Sequence, residues 1–549
     1  MKTYYRITEK YLGRVFIWGI LLITGSCNID GIPDLDSTYL PDYNGNLALA
    51  LVKDTLVVAD FLTEVITDSS SISEGSNMEV AFRYITNSEF TLSDDFVDIE
   101  SFNNAVFIAS PIDFFFVTPA DTTFTINRSV NFDFPTVGGD VLDSLYYNGG
   151  SFRVDLNSGF PNTTVDYSFS TNSFENRTTS VPISVSNSLV GGSAPPSFQT
   201  DSVDLNGYLT RLNATADSNI FVVDIAATIT IPAGTTLTGS EYINFTLGIN
   251  NPTFEGVFGF FEQDTFNIQG KRVSLGIFTD FEGTGLDFQS PVITFTVNNS
   301  FGIPAGIDFS QSYAEYLDQP NVPFTGDFAS SPQVIGAPNV MNFGDSVEST
   351  LVVDSNNSNL RDLLASSPNR LVLNLTGYSN IGNTDPNFVA LGSKISVEAD
   401  IFLPLSVKLD GFAYETFVEL GDIPNLEGTE EITLLFNTIN ELPFDGTIDL
   451  YFVDENDVRF DSLTNNVLFQ APTVYDADGK ATQPAENSTE ITLDEDLINS
   501  LEAATSLTLI TRLNSFGYEN DEFVQVFSDY KLITTLSLRG QLNVDLNGN

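Results

Sequence analysis

The sequence contains no histidine, a single cysteine and a single tryptophan in 549 residues. Trp18 and Cys27 both fall within the first thirty positions, so the remainder is built without His, Cys or Trp. This excludes a Ser-His-Asp or Cys-His nucleophile system. It also excludes zinc, copper, haem or iron–sulfur centres that need those ligands. Bases are scarce as well: 21 Lys and Arg stand against 73 Asp and Glu, for a net charge of −52. A surface of that sign repels nucleic acid and anionic head groups. The lack of Trp weakens stacking against sugar faces, although the 19 Tyr could replace it. What is plentiful is Phe, 46 residues, and a hydrophobic content of 42% argues against wholesale disorder.

The first segment is the most legible. Lys2, Arg6, Lys10 and Arg14 precede the apolar run VFIWGILLI at 15–23, then Thr24, Gly25, Ser26 and Cys27. The run is too short to span a bilayer and has the layout of a secretory signal over residues 1–26. An ordinary secretory signal followed by a free thiol has the same layout. The stretch LLITGSC (21–27) resembles the lipobox of bacterial lipoproteins. That resemblance implies that Cys27 is the lipid attachment site and the mature N-terminus. Acylation would remove a lone thiol that is a liability in an exported protein, and acyl chains anchor at roughly 0.8 kcal/mol per buried methylene. Residues 27–46 then read as an acidic tether.

Beyond the tether nearly every segment alternates with period two. Val223, Ile225, Ala227, Ile229 and Ile231 share one face, as do Ile243, Phe245, Leu247 and Ile249. The run from Tyr530 to Leu546 keeps one apolar face over about 17 residues, a strand of about 55 Å. Its expected partners are the 397–409 or 447–453 runs. One wet and one buried face is the mark of antiparallel sheets. The fold class expected is therefore all-β: several antiparallel β-sandwich or long curved-sheet domains with a few short helices. Asn-Gly at 148–149 and Asp-Gly at 410–411, 445–446 and 478–479 read as hairpin turns. Helices are expected at 359–366 and 494–504, each running into a strand, a helix-then-strand unit that looks duplicated.

A second recurrence is FTVNNSFGIPAG (295–306), LGINNPTFEG (247–256) and FNTINELPFDG (436–446). Each has a strand, an Asn, an apolar residue, a Pro and a Gly, which suits a corner between strands. The alternative is that these corners line a contact surface. Domains are expected at 47–190, 199–320 and 345–549, with GGSAPPSF (191–198) and 318–345 between them.

Two acidic clusters could hold calcium: Asp30, Asp34, Asp36, Asp42 and Asn44 in the tether, and Asp454, Glu455, Asp457 and Asp461. Neither has the spacing of an EF-hand loop, nor does DADGKATQPAE at 476–486. A composition this acidic produces such clusters by itself. No facing carboxylate pair is singled out for glycoside hydrolysis, and no Ser–Lys arrangement stands out. No catalytic residue, cofactor or metal is expected, and the chain reads as a non-enzyme.

Seven Asp-(Ser/Thr)-(aliphatic or Thr) triplets, at Asp36, Asp54, Asp121, Asp143, Asp201, Asp345 and Asp461, resemble the O-glycosylation sequon of exported Bacteroidota proteins. LPFDGTIDLYFVDENDVRFDSL (442–463), YDADGK and YKLITTLSLRGQL resemble the large all-β outer-membrane lipoproteins of Bacteroidota. That likeness implies a lipid-anchored accessory subunit docking on an outer-membrane complex, a β-barrel of assembly, uptake or secretion machinery. The location implied is the outer membrane, at the cell surface or on its periplasmic side. The membrane would be reached through the acyl anchor, and no nucleic acid is expected as a partner. The other reading is a glycan- or lipid-binding lipoprotein with its ligand held on a curved sheet. An apolar cavity too large for its own side chains would favour the ligand carrier, and an acid-poor outer patch the docking protein.

Overall fold

Alternation of apolar and polar residues makes strands wherever one face can be covered, and here the covering is done almost entirely by other strands. The computed structural model describes residues 43–544 apart from 60–69, 77, 92–99, 111–113, 136–139, 216–217, 279–284, 318 and 421–428. Cys27, the signal segment and the tether up to Asp42 lie outside the described residues. The fold is all-β and antiparallel throughout, with short helices between strands.

A first sandwich is formed by two layers. One runs Ser197–Asp204, Val141–Ser158, Tyr242–Phe260 and Phe102–Ala109. The other runs Pro182–Val190, Thr164–Asn176, Ser218–Ile231 and Thr122–Phe134. The alternating Val223–Ile231 and Ile243–Ile249 residues are buried between them, as their period requires. Phenylalanine fills much of this core: the Phe169 and Phe245 rings meet edge-on across the layers at 5.2 Å, and Phe174 meets Phe221 at the same distance.

The remaining strands form two sandwiches built on one plan. In the first, Val292–Asn299 lies between Lys394–Pro404 and Val347–Val353. Its other sheet orders Thr265–Ser274, Arg370–Ser379, Ala305–Asp308 and Gln333–Ile335. In the second, Thr429–Asn440 lies between Lys531–Val544 and Ala485–Leu493. Its other sheet orders Phe412–Glu419, Ser506–Ser515, Phe444–Val453 and Arg459–Phe469. The helices Leu360–Ala365 and Glu495–Ala503 precede equivalent strands. The duplication expected from the helix-then-strand unit thus extends to eight elements per copy. Each copy also takes a strand from the N-terminal region: Val80–Thr91 on Lys394–Pro404, and Tyr43–Val57 on Lys531–Val544.

The corner joining the sheets is the same side-chain device in both repeats. Asn299 and Asn440 are fully buried. The Asn299 amide nitrogen donates to Ile303 O at 3.0 Å and Gly336 O at 2.9 Å, while its oxygen accepts from Phe301 N at 2.9 Å. Asn440 donates to Phe444 O at 2.9 Å and Gln470 O at 2.8 Å and accepts from Leu442 N at 2.9 Å. A side chain with two donors and a carbonyl satisfies three backbone groups that the turning chain would otherwise bury unpaired.

Several expectations change here. The third match, 247–256, is no corner: the strand Tyr242–Phe260 continues through it with a shift in register between Asn250 and Thr253. The boundaries at 47–190, 199–320 and 345–549 cut across the pairing. Residues 43–57 and 80–91 belong to the repeats, 102–260 is one sandwich, and GGSAPPSF merely connects its two layers. The C-terminal strand pairs with neither 397–409 nor 447–453 but with the first strand and Thr429–Asn440. Of the four glycine turns, 478–479 makes the hairpin, with Gly479 at φ 80°. Gly149 and Gly446 sit inside strands, because a Cβ there would come within 2.6 Å of Thr253 Oγ1 or 2.4 Å of Arg512 O.

Successive units meet at their ends. Residues 256–259 of the first sandwich pair with Asn387–Ala390 of the first repeat. The far end of that repeat meets the second across Leu405, Val407, Leu442 and Phe444, which line a common apolar cavity with Leu56 and Val58. Tyr43 lies at the other end of its strand, paired with Val544. Tyr43 therefore lies at the end of the second repeat remote from the first sandwich.

Candidate docking site at the free pole of the first sandwich

Four connections gather at one pole of the first sandwich, because the strand ends Ala109, Thr122, Ser158, Thr164, Val190, Ser197, Ile231 and Tyr242 are in register there. The pole lies at the Tyr242 end of the strand whose other end joins the first repeat. With about 3.4 Å per residue, residues 242 and 256 are roughly 45 Å apart. It is the end of the chain of units opposite to Tyr43.

This pole carries large exposed apolar side chains, Phe114 (58% exposed), Phe115 (70%) and Val190 (75%), with Phe107 (65%) and Phe198 (67%) on the sheet face beside it. They are held on a rigid support. Phe116 and Val117 pair with Thr236 and Leu237. Thr118, buried, donates its hydroxyl to Pro232 O at 2.7 Å and its N–H to Thr235 O at 2.9 Å. Phe114 meets Phe116 edge-on at 6.4 Å, and Phe107 stacks on Tyr242 at 5.7 Å. Aromatic anchors presented on fixed backbone lose little freedom on binding, which is the pattern of interface hot spots.

The pole is also poor in charge. In 105–121, 158–164, 188–198 and 230–244 the acids are Asp113, Asp121 and Glu241, and there is no Lys or Arg. Asp113 is outside the described residues. Asp121 accepts from Ala233 N at 2.9 Å. Glu241 is buried and accepts from Thr238 N at 2.6 Å, Gly239 N at 2.9 Å and Thr238 Oγ1 at 2.9 Å. Burial opposes its charged form, but these donors outweigh it and hold the carboxyl below its ordinary 4.5. A lowered carboxyl stabilises the loop above the ordinary value and ceases to as pH falls through the lowered one. Amide protection in 232–241, measured against the intrinsic exchange rate at each pH, should therefore fall as pH drops from about 4.5, ahead of the sandwich strands. Unchanged protection there down to acid unfolding would contradict this.

Among the acids singled out by sequence, Asp454, Asp461 and Asp476 have structural partners, while Glu455 and Asp457 are exposed. Asp454 accepts from Asn456 N at 2.8 Å and Val458 N at 2.9 Å, and Asp476 caps the 478–479 turn in the same way. Asp461 accepts from Ser500 Oγ at 2.6 Å and so ties a helix to its sheet. Among the described residues no three acidic side chains converge as metal ligands would. Ser528 and Lys531 have the S-x-x-K spacing but turn to different partners, Glu74 and Glu441. Ser144, in one glycosylation-like triplet, is buried. Asn44 sits in the first strand opposite Asn543; Cys27, Asp30, Asp34, Asp36 and Asp42 lie outside the described residues.

Two cavities lie away from the pole. The apolar one between the repeats holds about 80 Å³. A second, beside Phe90, Phe266, Phe301, Asp264 and Ser379, holds about 200 Å³. Both fall below the roughly 300–1,000 Å³ of small-molecule pockets.

The pole was not anticipated. Its signal was Phe114–Val117, four consecutive apolar residues that break the alternation of their surroundings.

No family model matches the chain, and no curated protein does. Among solved structures it is similar to a candidate secreted protein from Parabacteroides distasonis ATCC 8503, at 17% identity and a TM-score of 0.28. That match covers 50% of this chain and 82% of the other.

Proposed function

We propose that this chain is an extracytoplasmic lipoprotein, anchored through Cys27 to the outer membrane, that docks by the pole of its first sandwich on an outer-membrane β-barrel complex. The observation that carries this reading is the group Phe114, Phe115 and Val190 at the pole, exposed and nearly free of acids in a chain of net charge −52. Elsewhere the charge keeps other acidic surfaces away; here it does not. Contiguous exposed apolar surface on a soluble domain marks an interaction site. The lipobox-like LLITGSC supports the anchor. The non-catalytic reading rests on the missing His and Cys and on the turn-forming roles of the acids.

Affinity purification from native membranes in mild detergent tests this reading. Wild type should co-purify a β-barrel subunit, and Phe115→Glu should lose it while keeping its melting temperature. Cys27→Ala should move the protein to the soluble fraction. Retention of the barrel by Phe115→Glu would reject the pole, and membrane retention of Cys27→Ala would reject the anchor.

A further inference from the structure

The outer face of the first sandwich, beside the pole, has a composition unlike the pole itself. Strand register places Phe198, Asn157, Asn244 and Phe107 in one row across four neighbouring strands. Spacings of about 4.8 Å between strands set the two Phe positions about 14 Å apart, the span of a short oligosaccharide. Phe198 and Phe107 are exposed at the two flanks, and the amides lie between them, half-buried. The Tyr242 ring stacks on Phe107 and lies over Gly159, where a Cβ would come within 2.8 Å of it. Its hydroxyl donates to Asn157 Oδ1 at 3.5 Å.

The next row holds Thr200, Asp155, Thr246 and Ala105. Its one charge is neutralised in place: Arg153 Nε and Nη2 reach Asp155 at 2.9–3.0 Å, and Thr200 Oγ1 donates to it at 2.5 Å. The two rows are thus rich in amides and hydroxyls, flanked by aromatic rings, and carry no unpaired charge.

We infer that this face binds an uncharged glycan, with Phe107, Tyr242 and Phe198 under sugar ring faces and Asn157 and Asn244 on hydroxyl groups. The charge of the chain makes the choice of ligand. An anionic polymer is repelled by the rest of the surface, and a cationic one finds no unpaired carboxylate on these rows. An apolar peptide offers these amides only its backbone groups, one donor and one acceptor per residue. A neutral polyhydroxylated chain supplies both hydroxyl partners and apolar ring faces. The inference does not depend on docking by Phe115.

The test uses the full mature chain and a panel of short uncharged oligosaccharides: α- and β-linked glucans, mannans, xylans and galactans, read by glycan array and calorimetry. At least one linkage class should bind, with an affinity nearly independent of salt. Phe198→Ala and Asn157→Ala should each weaken it about tenfold or more, with unchanged melting temperatures, while Phe115→Glu leaves it intact. No binding across the panel would overturn the inference, and so would binding that Phe198→Ala and Asn157→Ala leave unchanged. If these variants instead abolish capture of the barrel subunit and no sugar binds, the face belongs to the protein interface.

Discussion

Replacing Asn440 with alanine is expected to lower the unfolding midpoint of the second repeat by several degrees. The side chain is fully buried and satisfies the carbonyls of Phe444 and Gln470 and the N–H of Leu442. Removing it strands three backbone groups, and each unsatisfied buried group costs about 1–3 kcal/mol. A loss of about 3 kcal/mol or more corresponds to roughly 6–12 °C for a domain of this size. Asn299→Ala should do the same to the first repeat, through Ile303, Gly336 and Phe301. Asn251→Gly provides the contrast. It lies in the third sequence match but is exposed with φ 45°, which glycine tolerates, so the midpoint should barely move. Calorimetry of the three variants decides the matter. Equal small effects would mean that the clamps are incidental to the corners.

A larger effect is expected from truncation before Lys531. The strand Lys531–Val544 is central in its sheet, bonded to Tyr43–Val57 on one side and Thr429–Asn440 on the other. Leu532, Leu536 and Leu538 are buried on its inner face. Each such side chain contributes roughly 1.5–3 kcal/mol, and a whole domain is stable by only about 5–15 kcal/mol. Without the strand the second repeat should unfold, and residues 43–57, at the opposite end of the sequence, should become protease-sensitive with it. The first sandwich and first repeat keep their own pairings and should survive as a resistant fragment over about 80–404. Limited proteolysis with mass spectrometry would show this. Undiminished resistance of 412–529 in the truncated chain would contradict the assigned pairing.

How far the sequence could be read depended on whether the determinant was local. Period-two alternation is local, so Val223–Ile231 and Ile243–Ile249 were recognisable as half-buried strands. Asp494 precedes an acidic first turn, a local signal, and its side chain caps the helix by accepting from Leu497 N at 3.0 Å. Asn359, at the equivalent place, leaves its own helix uncapped because its side chain holds Thr325 N and Pro323 O. Strand partners are not local. Nothing in YKLITTLSLRGQL records that Leu538 will face Leu49 across almost the whole chain. The Asn corners lay between these cases. NNSFGIPAG and NTINELPFDG have the motif and the buried clamp, whereas NNPTFEG has the motif at an exposed bulge, because Asn251 has no chain turning around it to satisfy. The pole depended on a topology that brings 105–121, 158–164, 188–198 and 230–244 together, so four unremarkable loops became one surface.

Site-specific photo-crosslinking in intact cells tests the docking claim most directly. A photoreactive amino acid would replace Phe115 at the pole, or Leu468, exposed on the second repeat, in otherwise wild-type protein. The account predicts that position 115 captures an outer-membrane β-barrel subunit and that position 468 does not. Capture of that subunit from 468 alone, or none from 115 in correctly anchored protein, would contradict it.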